Sequence, residues 1–120
     1  MNIKGITIGQ YISNPIIFGY WTKDSSSFVF TFKDNKPMKF NITNYHGNKS
    51  YAFWLYEEST CWLFKIGDND IVVYKQDKYK TSIFQDKKSS FDYKGIENAL
   101  IGKIGKELFE MKRLIVIQMI

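Results

Sequence analysis

Three side chains that usually carry site chemistry are almost missing from this chain of 120 residues. There is one cysteine (Cys61), one histidine (His46) and one arginine (Arg113). A single cysteine excludes an intramolecular disulfide and points to a reducing, cytoplasmic setting. One histidine with no cysteine beside it cannot complete a His/Cys metal site, so no metal and no cofactor is expected. His46 sits in a polar turn beside Gly47 and is read as an exposed turn residue rather than a general base. Proline occurs twice only, and no uninterrupted apolar run approaches membrane-spanning length, so no transmembrane segment is expected. No signal peptide is visible at the start of the chain. Neither a Gly-rich phosphate loop nor a GxSxG elbow is present.

Lysine and aromatic residues are plentiful. The net charge is +5, and aromatics make up 18% of the chain, with 10 Phe and 8 Tyr. Lysine is a hydrated point charge without arginine's planar fork. A Lys-rich, Arg-poor chain is drawn weakly to polyanions but is poorly equipped to read a base sequence. Aromatic residues favour pleated, half-buried strands. The chain has the size of one domain, and residues 1–120 are read as one.

Turn signals recur about every ten residues, as in all-β architectures. They are Asn14-Pro15, Lys23 to Ser26, Asp34 to Pro37, His46 to Asn48 and Gly67 to Asn69. Between them, Ser27 to Phe32 alternates strictly: Phe28, Phe30 and Phe32 face one way, Val29 and Thr31 the other. Tyr51 to Tyr56 is a second strand. Trp62 to Ile66, a turn at Gly67-Asp68-Asn69, and Asp70 to Lys75 form a hairpin. The apolar run Ile71 to Tyr74 predicts burial on both faces, and Leu114 to Met119 predicts a central last strand. Tyr93 to Ile101 and Gly105 to Met111 are read as short helices, and Gln76 to Ser90 as a solvated loop. The fold class expected is mostly β (α+β), an antiparallel β-sandwich with one or two short helices.

Candidate chemistry is sparse. Cys61 stands at the start of an apolar strand; a redox thiol there would need cations beside it, and the simpler reading is a small buried hydrophobe. Glu57 and Glu58 are adjacent on an extended chain, point to opposite sides and do not make a catalytic pair. Asp68-Asn69-Asp70 lacks the glycine and glutamate of a calcium loop. Lys75, Lys78, Lys80, Lys87 and Lys88, interleaved with Tyr74, Tyr79 and Phe84, form a candidate polyanion-binding loop. The alternative there is a charged loop whose aromatics cap the sheet.

An ordered set of landmarks resembles the TLD (TLDc) domain. It runs Ile16-Ile17-Phe18-Gly19-Tyr20-Trp21, Phe28-Val29-Phe30, Trp62 to Gly67, Asp70 to Val73, Phe91-Asp92-Tyr93, Asn98 to Gly102, Phe109 and Leu114 to Gln118. The resemblance covers about residues 16 to 120 and is nearest to compact, Lys- and Tyr-rich protozoan members. The family's opening helix and strand have no counterpart before Ile16, leaving Ile3 to Ile8 to supply a strand there. Ile115 stands where the family's last strand usually has an acid. The resemblance implies a β-sandwich with a few short helices and no active site. It links the chain to oxidative-stress resistance and to regulation of the vacuolar proton-pumping ATPase. On that basis the chain is expected to be a non-catalytic protein-interaction module. Tyr20, Trp21 and Tyr56 are its candidate partner-binding residues, since Tyr and Trp are common interface anchors. The competing reading is that these three pack inside the sandwich. The alternative function is weak nucleic-acid or polyanion binding through residues 75–88.

Overall fold

A computed structural model describes residues 2–3, 6–33, 36–43, 50–68, 70–75, 81–85, 90–96, 99–100, 105–109 and 111–113. Eleven strands fall within them: β1 (Asn2–Ile3), β2 (Ile6–Tyr11), β3 (Trp21–Lys23), β4 (Phe28–Lys33), β5 (Lys36–Asn41), β6 (Tyr51–Leu55), β7 (Trp62–Ile66), β8 (Ile71–Tyr74), β9 (Thr81–Gln85), β10 (Gly105–Phe109) and β11 (Met111–Arg113). They form two antiparallel sheets, ordered β11-β1-β2-β4-β5 and β10-β9-β8-β7-β6-β3. The fold is mostly β and sandwich-like. Ile8, Val29 and Phe40 of the first sheet meet Phe64, Ile66, Ile71 and Val73 of the second in one apolar cluster. Phe91, Tyr93, Ala99 and Leu100 join it from the segment between β9 and β10. Gln10 ties the sheets together: its Nε2 donates to the Ala52 carbonyl at 2.7 Å and to Ser27 Oγ at 3.1 Å.

Local sequence explains much of this. In β4 the alternation holds, and it is Val29 and Thr31 that are fully buried while the phenylalanines face away from the core. In β8, Ile71 and Val73 are buried whereas Val72 and Tyr74 are half-buried, so one face carries more of the burial than the apolar run suggests. The β7–β8 turn begins at Gly67, whose φ is +63°, a left-handed conformation that glycine tolerates without strain. A Cβ there would stand 2.7 Å from Asp70 Oδ1 and 2.9 Å from Ser90 Cβ.

The structure corrects several expectations. Gly105 to Met111 is not helical: Gly105–Phe109 is strand β10, paired antiparallel with β9 from Gly105↔Gln85 to Phe109↔Thr81. The neighbouring strand supplies backbone partners that outweigh a weak helical pattern. That same β9 lies within Gln76 to Ser90, which was expected to be a loop. Across Tyr93 to Ile101 the described residues form turns. Lys94 and Gly95 take φ of 56° and 70°, both left-handed, and a right-handed helix cannot pass through them. No helix occurs among the described residues. The expected last strand, Leu114 to Met119, lies outside them. The opening stretch does supply strands, and β2 is central in its sheet, between β1 and β4.

Candidate functional site

The second sheet carries its tryptophans and several of its tyrosines on the side away from the core. Its register places Trp21 opposite Trp54, Trp54 opposite Lys65, and Lys65 opposite Val72. The alternate row, Thr22, Phe53, Ile66 and Ile71, faces the first sheet. Trp21 stacks on Tyr51 with centroids 4.5 Å apart and 10° between planes, and meets Trp54 edge-on at 5.2 Å. Trp54, Tyr56 and Trp62 continue the row at 5.7 and 5.2 Å. The Lys65 ammonium sits among these rings, 4.5 Å from the Trp21 centroid and 5.9 Å from that of Tyr56. Cation–π attraction stabilises such an arrangement. Burial lowers the Lys65 pKa, and Asp68, 3.8 Å away, only partly opposes this. Burial, then the Asp68 charge, raises the Tyr56 pKa.

Beside this row lies an apolar loop. Ile16, Ile17, Phe18 and Tyr20 are 48%, 51%, 53% and 68% exposed. The loop is held at both ends. Ile17 N–H donates to Thr22 Oγ1 at 3.2 Å, and Gly19 N–H donates to the Leu55 carbonyl at 2.9 Å. Just downstream of the loop, Asp24 reaches back across its base and accepts from the backbone N–H and hydroxyl of Ser13, from Asn14 N–H at 3.2 Å and from Ser26 N–H at 2.9 Å. Burial pushes the Asp24 pKa up, but these donors together outweigh it and hold the carboxyl below its ordinary value.

The three residues expected at an interface do not lie between the sheets. Tyr20 is exposed in the loop, while Trp21 and Tyr56 are half-buried on the outer face and linked through Trp54 and Lys65. Sequence reasoning missed Trp54, Lys65 and Tyr51, which only strand register brings to Trp21. It also missed the exposure of Ile16 and Ile17. Of the expected polyanion-binding lysines, Lys75 donates its ammonium to the Glu57 carbonyl. Lys78, Lys80, Lys87 and Lys88 lie outside the described residues, as does His46. Cys61 is exposed rather than a buried hydrophobe, because it precedes β7 in a surface turn. Glu57 and Glu58 are both exposed. Among the described residues no group of acids, histidine and cysteine is placed to hold a metal ion, and no helix is long and apolar enough to cross a membrane.

A second polar cluster is buried. The Asp70 carboxylate accepts from Tyr93 Oη at 2.7 Å and from Ser90 N–H at 3.1 Å, and Ser90 Oγ accepts from Asp68 N–H at 2.7 Å. Burial pushes the Asp70 pKa up to about 7 against the pull of these donors. Burial, with Asp70 alongside, raises that of Tyr93 well above its usual value. The cluster fastens the Ser90–Tyr93 segment to the β7–β8 turn. Asp92 N–H donates to the Asn41 carbonyl and Thr43 N–H to the Ser90 carbonyl, so that segment also lines the end of β5.

No family model matches the chain. No curated protein and no solved structure matches it either.

Proposed function

We propose that this protein is a non-catalytic interaction module that grips a protein partner through the Ile16–Tyr20 loop and the adjoining Trp21–Trp54–Tyr56 row. One observation carries the reading: four large side chains within five residues, Ile16, Ile17, Phe18 and Tyr20, stand about half-exposed or more on a loop held by hydrogen bonds to Thr22 and Leu55. Full burial of such a side chain is worth roughly 1.5–3 kcal/mol. A partner covering the loop would therefore gain appreciable affinity without the loop having to order first. Tyr and Trp beside it are suited to the anchoring role. The sequence resemblance to TLD domains names the first partners to try, subunits of the vacuolar proton-pumping ATPase, with oxidative-stress resistance as the process.

The test is a pull-down with the tagged chain from cytosol and from vesicle membranes at low and moderate salt. An apolar grip should retain its partner at both salts. The double variant Ile17→Ser/Phe18→Ser, checked for folding by circular dichroism, should lose it. Equal recovery by the double variant would refute this surface, and recovery of other proteins in place of pump subunits would refute the partner.

A further inference from the structure

The first sheet has an outer face of a different kind. Pairing of β2 with β4 sets Gly9 opposite Phe30 and Tyr11 opposite Phe28, and pairing of β4 with β5 sets Lys39 opposite Phe30. Ile8, Val29, Thr31 and Phe40, one step out of phase, are buried to within 1%. The aromatic set therefore faces away from the core. Tyr11 and Phe32 are 42% and 47% exposed. Tyr11 stacks on Phe28 at 5.1 Å and 20°. Phe28, Phe30 and Phe32 follow along one strand with centroids 6.3 and 6.0 Å apart. Phe30 lies across the bare backbone of Gly9: a Cβ there would be 2.1 Å from its Cζ. The Lys39 ammonium rests 4.2 Å from the Phe28 centroid.

The charge on this face is one-sided. Along Thr7–Tyr11, Phe28–Phe32 and Pro37–Asn41, the described outward positions hold no carboxylate, and Lys39 is their single charge. On the second sheet, by contrast, the lysine among the rings is paired with Asp68. The whole chain carries +5. An aromatic face bearing one lysine and no carboxylate suits a polyanion whose units have flat π surfaces. A second copy packed about a two-fold axis would bring two Lys39 side chains into one interface and bury them with no counter-charge.

We infer that the outer face of the first sheet binds single-stranded nucleic acid, with bases stacking on the exposed rings of Tyr11 and Phe32 and a phosphate drawn to Lys39. Recognition is tolerant of sequence, because every base has a π face and lysine lacks the bidentate fork that reads guanine. This site is separate from the loop at Ile16–Tyr20 and stands or falls independently of it.

Fluorescence anisotropy tests the assignment, using the full chain, a labelled oligothymidylate of roughly 15 nucleotides and a duplex of the same length. The single strand should bind more tightly than the duplex and weaken as salt rises from roughly 50 to 200 mM. Tyr11→Leu and Phe32→Leu keep apolar volume but lose the π face, and each should weaken binding by about five-fold or more. Lys39→Gln, at an exposed position, should lower the salt slope by about 0.7; it tests the site even where an aromatic variant does not fold. Absence of single-strand binding at the lower salt overturns the proposal. So does unchanged affinity in the folded Tyr11→Leu/Phe32→Leu double variant together with an unchanged salt slope in Lys39→Gln. A concentration-dependent dimer in sedimentation that the double variant abolishes would assign the face to a second copy instead, and would likewise overturn it.

Discussion

Asp70 sets the pH response of this fold. Its carboxyl is buried against Tyr93 and Ser90, and its pKa rises from the ordinary 3.8 to about 7. The folded chain therefore keeps a proton that the unfolded chain releases near 3.8. Stability from this group is fully present below that value and is lost as pH climbs to about 7. The gap corresponds to about 4 kcal/mol, a large share of the 5–15 kcal/mol that holds a typical domain together. Urea unfolding followed by tryptophan fluorescence at several pH values across that window is the direct assay. The midpoint should fall as pH rises. Asp70→Asn keeps the shape but cannot ionise, so it should flatten the dependence and exceed the wild type in stability above neutrality, by at most the same few kcal/mol. Tyr93→Phe removes a donor that favours the anion and should carry the decline to higher pH than in the wild type. A midpoint that instead rises with pH, with Asp70→Asn the weaker protein above neutrality, would refute the reasoning. It would mean that the donors from Tyr93 and Ser90 outweigh burial and keep the carboxylate charged throughout.

Asp24 works in the opposite direction. Its lowered pKa gives stability that is present above pH 3.8 and disappears as pH falls through its lower folded value, so acid titration of Asp24→Asn should show a loss of about 1–3 kcal/mol at neutral pH that shrinks in acid. Gly9→Ala forces Phe30 off the strand backbone and should cost about 1–3 kcal/mol in denaturant unfolding; unchanged stability would contradict the close approach of Phe30 to Gly9. Phe40→Ala empties a fully buried position packed edge-on against Tyr93 and should lower stability by about 3–5 kcal/mol, measured by the same unfolding curves. Lys94→Gly relieves a left-handed backbone at φ 56° and should raise the thermal midpoint slightly, whereas a fall would show that the Lys94 side chain contributes more than the strain removes.

What could be read from the sequence was periodicity and punctuation. The two-residue alternation of Phe28 to Phe32, the hairpin around Gly67 and the strand after Ser50 are properties of neighbouring residues, and each was recovered. Strand β5 was not foreseen, because Lys36, Pro37, Met38 and Lys39 are all exposed and only Phe40 marks its inner side. Strands β9 and β10 were missed because both are short and owe their strand state to pairing with each other. Lys94 and Gly95 turn left-handed where the apolar spacing alone suggested a helix.

The sequence by itself determined a β-rich chain without disulfides and with a cationic balance, since these follow from composition and local pattern. Only the tertiary structure decided which side of each strand is inside. Alternation names two faces and ranks neither; hydrophobicity would have put the phenylalanines of β4 in the core. They lie outside because the core between the sheets is filled by Ile8, Val29, Phe40 and the second sheet's aliphatic row, while Gly9 on β2 leaves a gap that fits a ring from outside. Register likewise gathered Trp21, Trp54 and Lys65, which are far apart in the chain. Contacts of that kind depend on how strands pair across the sheet, and no stretch of sequence contains them.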